Sequence, residues 1–282
     1  MNKSFLLLFS ILFLTSNAFA QKTTSPKLQI MPPSGAYKVG HTIIDLVDKA
    51  RPEPATKVLN DKRQVSLEIW YPSTPNNSNK LASYRPRVEA FRKEWGDTTV
   101  HLMKSVSTTY FEKSEIHPSK PFGIFLFSHG WGSRSSSHST LLSNLASQGY
   151  IVVGINHPYM GKVVLSDGTI TEPNDNQFEN QAAANDFYAK DVVFVINQLK
   201  KMNSNKGGLF EKAIDLNKII AGGHSSGFPA ASNAAIIDKR IKGLISFDSG
   251  VPKIVRREGL DIPILLVRAD TNSYTDLFFR GK

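Results

Sequence analysis

A glycine-rich segment contains the first residues that could do chemistry. It reads KIIAGGHSSGFPA from Lys218 to Ala230 and holds a Gly-x-Ser-x-Gly pattern centred on Ser225. An apolar run ends directly before the pattern and helix-compatible residues follow, which predicts a sharp strand-to-helix turn with the serine at its apex. Glycine at 223 and 227 avoids the clash that side chains would make there. We interpret Ser225 as a nucleophile; a purely structural turn is the alternative.

A nucleophilic serine also needs hydrogen-bond donors for the oxyanion that forms during acyl transfer. The loop FSHGWG, residues 127–132, follows an apolar run of strand length. Its two glycines allow backbone amides to turn toward a ligand. We predict an oxyanion hole made by the backbone N–H groups of Trp131 and of Ser226, the residue after the nucleophile. A glycine-rich loop without a ligand is the alternative.

The elements around these loops predict an α/β fold. After Pro121, apolar runs of strand length alternate with amphipathic helical segments, which is typical of a mostly parallel sheet with crossover helices on both faces. Two earlier runs with alternating apolar residues, His41 to Val47 and Gln64 to Tyr71, predict an antiparallel pair at the N-terminal edge of that sheet. The segment VVLSDGTI predicts a hairpin with Asp167 and Gly168 in its turn.

The segment from about 73 to 120 is expected to be an insertion between the edge strands and the rest of the sheet. It contains two weakly amphipathic stretches, Arg87 to Trp95 and Thr98 to Tyr110. One interpretation is a cap over a substrate pocket that presents basic residues to a lipid headgroup, and the other is a pair of helices packed on the sheet edge. The basic residues of the first interpretation are Arg85, Arg87, Arg92 and Lys93.

The composition excludes several classes of function. The chain has 282 residues, no cysteine and a formal net charge of +10 at pH 7. Thiol catalysis and a disulfide framework are therefore excluded. The charge would favour transient contact with an anionic membrane surface, but no Lys/Arg run is dense enough to predict nucleic-acid binding. No histidine pair has zinc-site spacing beside an acid, so we expect neither a metal nor a cofactor.

The first twenty residues have the features of a signal peptide. Lys3 supplies a positive charge, Phe5 to Leu14 is an apolar stretch, and Ala18 to Ala20 fits a small-x-small cleavage site. The apolar stretch is too short to span a bilayer. We therefore expect residues 21–282 to form a single domain that is exported to the periplasm or secreted.

Several segments together resemble a known family. They are FSHGWG, GGHSSG, INHPY, VVLSDG and the N-terminal GAYKVG, DLVDKARPEP and LEIWYP. This set resembles the platelet-activating-factor acetylhydrolases of the isoform II group, over about residues 35–267. The resemblance implies an α/β-hydrolase fold and ester hydrolysis through an acyl-enzyme on Ser225, with short-chain or oxidised phospholipid esters as substrates. A general carboxylesterase or polyester hydrolase is the alternative, because the wider superfamily shares the serine turn.

The resemblance also implies the position of the catalytic acid. It places the acid after the strand that follows the serine turn and its helix, which is the segment LISFDSG with Asp248. Many other α/β-hydrolases place the acid one strand later, where this chain has Asp270. Either carboxylate would orient a histidine and stabilise its imidazolium form.

The catalytic histidine is where the sequence departs from the family pattern, which places that residue last. No histidine follows His224. Three explanations stay open: a truncated chain that lacks the last strand of the fold, a catalytically inactive protein that keeps the pocket for binding, or another histidine in the same role. His157 is the candidate for that role. Of the others, we expect His129 to brace the oxyanion loop, His138 to start a helix, and His41, His101 and His117 to be solvated.

Overall fold

A mixed β-sheet with helices on both faces organises residues 28–174 and 176–269, which the computed structural model describes. The sheet has eight strands: β1 (Lys38–Pro52), β2 (Lys62–Ser73), β3 (Tyr110–Glu112), β4 (Phe122–Ser128), β5 (Tyr150–Asn156), β8 (Ile214–His224), β9 (Ile241–Phe247) and β10 (Ile264–Val267). A separate hairpin has two short strands, β6 (Val163–Val164) and β7 (Ile170–Thr171). The helices are α1 (Arg92–Ser105), α2 (Ser139–Ser147), α3 (Gln181–Ser204), α4 (Gly227–Ile237) and α5 (Lys253–Glu258).

The strand order is β10-β9-β8-β4-β5-β2-β1-β3. Strands β4, β5, β8, β9 and β10 pair in parallel, whereas β2 is antiparallel to both β5 and β1. The predicted mostly parallel sheet with an antiparallel N-terminal edge is therefore confirmed. Because the parallel strands all point the same way, the loops that follow β4, β8 and β9 meet at one edge of the sheet.

Each face of the sheet has its own apolar layer, as the two-residue period of a strand requires. On one face, Ile124 and Leu126 of β4 pack in a cluster with residues of α3 and α4. On the other face, Phe125 and Phe127 of the same strand pack with Leu142 of α2. Strand β4 is thus buried on both sides, which fixes the position of the loop that follows it.

The insertion differs from the predicted pair of helices. A short 3-10 turn, Val88–Phe91, leads into α1, which is kinked at Gly96 (φ 76°) and ends at Ser105. The expected helical stretch to Tyr110 is wrong beyond that residue. Its end contains β-branched residues, which favour extended backbone, and it continues into β3, which pairs in parallel with β1.

The predicted hairpin is confirmed. Strands β6 and β7 pair antiparallel, and the turn between them has Gly168 at φ 87°. The Asp167 carboxylate accepts the backbone N–H of Thr169 at 2.9 Å, which closes the turn as Asx side chains do.

The expected signal peptide, residues 1–20, lies outside the described residues. Among the helices between residues 28 and 269, none combines the length and the apolar composition that a membrane crossing requires.

Candidate active site

Ser225 lies at a sharp turn between β8 and α4. Its φ is 48°, in the left-handed region that residues other than glycine rarely adopt. Its backbone N–H donates to the carbonyl of Phe247 at 3.2 Å, and its carbonyl accepts the N–H of Phe228 at 3.2 Å. The residue is exposed. The hydroxyl is therefore presented at the sheet edge where the loops meet.

The glycines on either side of the turn are required by close contacts. A Cβ atom at position 223 would lie 2.4 Å from the carbonyl carbon of Gly227, and one at position 227 would lie 2.1 Å from the carbonyl oxygen of Ser128. Real Cβ atoms do not approach other atoms so closely. The serine turn therefore packs directly on the end of β4.

The loop after β4 reaches the serine turn. A Cβ atom at Gly130 would lie 3.3 Å from the Cβ atom of Ser225. The loop then makes a tight turn in which the N–H of Ser133 donates to the carbonyl of Gly130 at 3.1 Å and Gly132 has φ 69°. Glycine at this position of the turn meets the need for a positive φ. Trp131 therefore directly follows Gly130, the residue that contacts the serine turn.

Two backbone donors near Ser225 are free. Within residues 28–174 and 176–269, the N–H groups of Trp131 and Ser226 have no hydrogen-bond acceptor. Ser226 is also the residue that precedes the first turn of α4, where the helix dipole favours negative charge. Free amides from two contacting elements are what an oxyanion-binding site needs.

His129 fixes the orientation of the Gly130–Trp131 peptide. Its Nε2 accepts the backbone N–H of His157 at 3.1 Å, so its proton is on Nδ1, which donates to the carbonyl of Gly130 at 2.8 Å. Burial, helped by the neighbouring His157, lowers the pKa of His129 to about 3 and keeps it neutral. In a trans peptide the N–H points opposite to the C=O, so the Trp131 N–H faces away from this ring.

His157 is not available to Ser225. The ring is fully buried; its Nδ1 donates to Asp191 at 2.8 Å, and its Nε2 accepts from the hydroxyl of Ser128 at 3.0 Å. Burial lowers the pKa of His157 and the bond to Asp191 offsets only part of that. Ser128, His157 and Asp191 have the donor order of a catalytic triad, but Ser128 is only 1% exposed. This set therefore supports the loop from inside the protein.

Sequence reasoning missed the ion pairs that hold Asp191. This carboxylate, fully buried in α3, accepts Nη2 of Arg63 at 2.6 Å and Nη2 of Arg51 at 2.7 Å. Burial alone would raise the pKa of Asp191, but the charge of Arg63 and the hydrogen bonds lower it well below its usual range. The available signal was an acid on the apolar face of α3, where the helical period places Tyr188 and Val192.

Asp248 directly follows β9, the strand that pairs with β8 beside the serine turn. The Cα atoms of Phe247 and His224 are partners in the β8–β9 register, so Ser225 and Asp248 both follow paired residues. Asp248 is exposed, has φ 54°, and accepts the N–H of Ala269 on Oδ1 at 3.2 Å. The structure thus places this acid directly after the strand that adjoins β8, while Asp270 lies outside the described residues.

The other histidines divide between the core and the surface. His41 was expected to be solvated, which is wrong: it is 3% exposed, because its ring packs between Trp70 and Tyr110. His138 lies 5.2 Å from the ring of His224, and burial together with that ring lowers the pKa of His138 to about 4. In the part of the chain that the structure describes, no histidine is hydrogen-bonded to Ser225.

An open groove of about 610 Å³ runs between the insertion and the oxyanion loop. Helix α1 contributes Trp95, Thr99 and Met103, and the loop contributes Trp131. The groove also contains Arg85 and Arg134. The insertion therefore lies beside the loop that contacts Ser225. No three His, Asp or Glu side chains of the described ranges form a group that could hold a metal ion.

Comparisons with known proteins give ester hydrolases as relatives. Residues 22–185 match the profile of the family described as platelet-activating factor acetylhydrolase, isoform II. The chain is 26% identical over 259 residues to an Arthroderma benhamiae protein named "Probable 1-alkyl-2-acetylglycerophosphocholine esterase". The alignment covers 84% of this chain and 63% of that protein. This chain thus spans somewhat less than two thirds of that relative's length.

A solved structure is similar over most of the chain. It is a ferulic acid esterase from Streptomyces cinnamoneus, with a TM-score of 0.70 and 25% sequence identity, covering 86% of this chain and 68% of that one. The strand order and this likeness confirm the predicted α/β-hydrolase fold.

Proposed function

The chain belongs to the family of platelet-activating factor acetylhydrolase, isoform II, and from this premise we propose that it hydrolyses carboxylic esters through an acyl-enzyme on Ser225. The observation that carries the proposal is the contact between the serine turn and the Gly130 loop. It brings an exposed hydroxyl next to free backbone donors. Such donors stabilise the negative charge that forms on the substrate oxygen when a serine attacks an ester.

In the proposed reaction, the hydroxyl oxygen of Ser225 attacks the ester carbonyl carbon. The carbonyl oxygen becomes an oxyanion that accepts hydrogen bonds from the N–H groups of Trp131 and Ser226. When the tetrahedral intermediate collapses, the bond to the leaving oxygen breaks, that oxygen takes up the proton that the serine hydroxyl lost, and the alcohol departs while an acyl group stays on the serine. Water then attacks the acyl-enzyme through a second oxyanion in the same site; the bond between the acyl group and the serine oxygen breaks, the carboxylic acid leaves, and a proton from the water restores the serine hydroxyl.

Asp248 is the proposed acid of this site. Its position beside the serine turn suits a carboxylate that orients an imidazole and stabilises its charged form. The described residues bring no such imidazole to Ser225. A nucleophile and an oxyanion hole without a base retain only weak catalysis, so the rate of Ser225 acylation reports whether a base is within reach.

The proposed substrates are short-chain or oxidised acyl esters of phospholipids. Family membership and the esterase name of the Arthroderma relative support this choice. A broader carboxylesterase is the second candidate, favoured by the structural likeness to a ferulic acid esterase. A catalytically inactive binding protein is the third, favoured because no histidine among the described residues is hydrogen-bonded to Ser225.

A fluorophosphonate probe tests the proposal, because it phosphonylates activated serines. We expect wild-type protein to be labelled and Ser225→Ala to be unlabelled. Ser226→Ala is the matched control: it retains the backbone N–H and should be labelled like wild type. Equal failure of wild type and Ser225→Ala to react would remove the enzyme proposal. Turnover of short-acyl phospholipids against short-acyl nitrophenyl esters then decides between the first two candidates.

We also propose that the protein acts outside the cytoplasm, because residues 1–20 have the pattern of a signal peptide and the family match begins at residue 22. N-terminal mass spectrometry of the protein from the exported fraction should give a first residue of Gln21. An N-terminus still at Met1 in that fraction contradicts cleavage.

A further inference from the structure

Two arginines beside the oxyanion loop differ from most others in the structure. The paired arginines each lie within 4 Å of a carboxylate; they are Arg51, Arg63, Arg87, Arg92 and Arg240. Arg85 and Arg134 have no such partner among residues 28–174 and 176–269. Both line the groove of about 610 Å³. Of the four basic residues that the sequence suggested for this surface, Arg87 and Arg92 are thus already neutralised.

Arg134 packs on aromatic rings and has no carboxylate within 4 Å among the described residues. Its guanidinium lies 4.7 Å from the ring centroid of Phe91 and 5.4 Å from that of Trp95. Burial, and then the charge of Arg85, lower the pKa of Arg134 to about 10, and the attraction of Glu68 is smaller. Two like charges in a partly desolvated place destabilise each other unless an anion joins them.

The nearby carboxylates attract Arg134 only from a distance and contact other groups directly. Glu94 and Glu172 both pair with Lys162, and Asp97 pairs with Arg92. Glu68 is buried and accepts a hydrogen bond from Asn156 at 3.1 Å. Among the described residues, Arg85 and Arg134 therefore make no direct contact with a carboxylate, so an anion in the groove can bind them without displacing a salt bridge.

The rest of the groove is suited to an apolar group. Trp95, Met103 and Trp131 line it together with the arginines, and its volume falls in the range of about 300–1,000 Å³ that is usual for small-molecule sites. Trp131 connects this groove to the site of reaction, because its backbone N–H is the proposed oxyanion donor and its side chain is in the groove wall. A ligand in the groove would thus lie next to Ser225.

We propose that this groove is a binding site for the anionic group, a phosphate or a carboxylate, of an amphiphilic ester, with Arg85 and Arg134 as its ligands. Arginine suits the role because its planar fork of N–H donors matches both anions. Arg85 already donates to the hydroxyls of Ser136 and Ser137 at 3.2 and 3.1 Å, which holds its guanidinium in place. The inference rests on the proposed function only for the ester, since binding itself needs no reaction at Ser225.

Binding is measured on Ser225→Ala protein, so that no turnover occurs. Two of the three tryptophans, Trp95 and Trp131, line the groove while Trp70 is buried in the core, so intrinsic fluorescence reports occupancy. The probes are octylphosphocholine, octanoate, inorganic phosphate and, as the neutral control, octyl glucoside. We expect octylphosphocholine or octanoate to bind, and the preferred one identifies a phosphate or a carboxylate group. Tighter binding of inorganic phosphate than of either amphiphile would overturn the amphiphile assignment.

Arg85→Gln and Arg134→Gln should each weaken binding of the preferred anionic probe about tenfold or more, as expected for the loss of a hydrogen bond between charged groups. Arg92→Gln is the control, because Arg92 is on α1 but neutralised; its affinity should match that of the parent. Affinity should also fall when salt is raised from about 0.01 M to 1 M, since the screening length shortens from about 30 Å to about 3 Å. This salt titration needs no arginine variant and remains informative if Arg134→Gln folds poorly.

The proposal is overturned if both arginine variants bind the anionic probes as tightly as Arg92→Gln does, or if octyl glucoside binds equally well with the same dependence on the arginines. These results are independent of the fluorophosphonate experiment. A chain that binds the probe but is not labelled at Ser225 keeps the anion site and loses the esterase proposal. A protein that is labelled at Ser225, but whose arginine variants bind the anionic probe as tightly as the parent does, keeps the esterase proposal and loses the anion site.

Discussion

The Nδ1–H of His129 donates to the carbonyl of Gly130 at 2.8 Å, while Nε2 of the same ring accepts the backbone N–H of His157 at 3.1 Å. One neutral imidazole therefore fixes a peptide whose opposite end is the N–H of Trp131. Rotation of that peptide would remove the donor from the proposed oxyanion hole. The ring thus acts on the reaction through the backbone, as a positioning residue.

Two substitutions at position 129 separate its two hydrogen bonds. In His129→Asn the amide N–H can replace Nδ1 and donate to Gly130, whereas in His129→Gln the amide oxygen can replace Nε2 and accept from His157. We expect His129→Gln to lower the rate of fluorophosphonate labelling about tenfold or more. Complete loss of one oxyanion donor costs about a hundredfold to a thousandfold in rate, and a misplaced donor should cost less than that. His129→Asn should retain most of the rate.

Both variants leave one buried group unpaired, so each should lose about 1–3 kcal/mol of unfolding free energy. Urea denaturation gives that quantity independently of labelling. Equal labelling rates for the two variants, at equal stability, would show that the bond to Gly130 does not position the donor.

The backbone of Ser225 is strained, and this predicts a difference between two inactive variants. At φ 48° an alanine retains the steric conflict of an L-residue, whereas glycine relieves it. The left-handed conformation costs an L-residue about 1–2 kcal/mol, and glycine loses about 0.5–1 kcal/mol more entropy than alanine on folding, so Ser225→Gly should be more stable than Ser225→Ala by about 0.5–1 kcal/mol. Urea unfolding of both variants measures this. A more stable Ser225→Ala would mean that the turn is not strained.

Asp191 is predicted to be essential for stability. In Asp191→Asn the buried guanidinium of Arg63 keeps its charge and loses one of its two carboxylate partners, the one at 2.6 Å, while Glu53 stays at 2.8 Å. Removing one partner of a buried pair costs about 3–5 kcal/mol, and urea denaturation should show a loss of this size. Glu89→Gln is the control, since Glu89 pairs with Arg92 and Lys104 at the surface, and it should leave stability nearly unchanged. A small effect of Asp191→Asn would argue against an ionised Asp191.

The buried His129 predicts a loss of stability in mild acid. Its pKa of about 3 in the folded protein lies below its unfolded value of about 6.5. Between these values the unfolded chain binds more protons, so the free energy of unfolding falls as the pH falls, by up to about 1.4 kcal/mol per pH unit. The window from about pH 6.5 to 5 lies above the range in which ordinary carboxylates titrate.

Urea midpoints across this window test the assignment. The slope against pH should become shallower in His129→Asn, while His101→Asn, at an exposed histidine, should keep the wild-type slope. Identical slopes in all three proteins would mean that His129 does not remain neutral in the folded state.

The backbone geometry of the turn at Ser225 could be predicted from the sequence, while its role in catalysis stays a prediction. The Gly-x-Ser-x-Gly pattern after an apolar run predicted the turn at Ser225, because few other sequences allow so tight a reversal. The glycines of the Trp131 loop similarly predicted its course. The burial of His41, by contrast, depends on Tyr110, which is far away in the sequence and lies in a strand that the helical pattern had obscured.

The groove also depended on tertiary structure. Arg134 stands in a polar, serine-rich segment that gives no local sign of a ligand site. Its surroundings come from the insertion, through Phe91 and Trp95. Which of many arginines remain unpaired is decided by distances between elements, and a single sequence does not contain them.

The ion pair of Arg63 and Asp191 joins β2 to α3 below the loop, and His157 extends that junction to the ring of His129. The loop thus becomes ordered when the chain folds, so the binding of a ligand should cost little further conformational entropy in this loop. Amide hydrogen exchange would reveal this as slow exchange: the His157 N–H should be released only when the whole sheet opens.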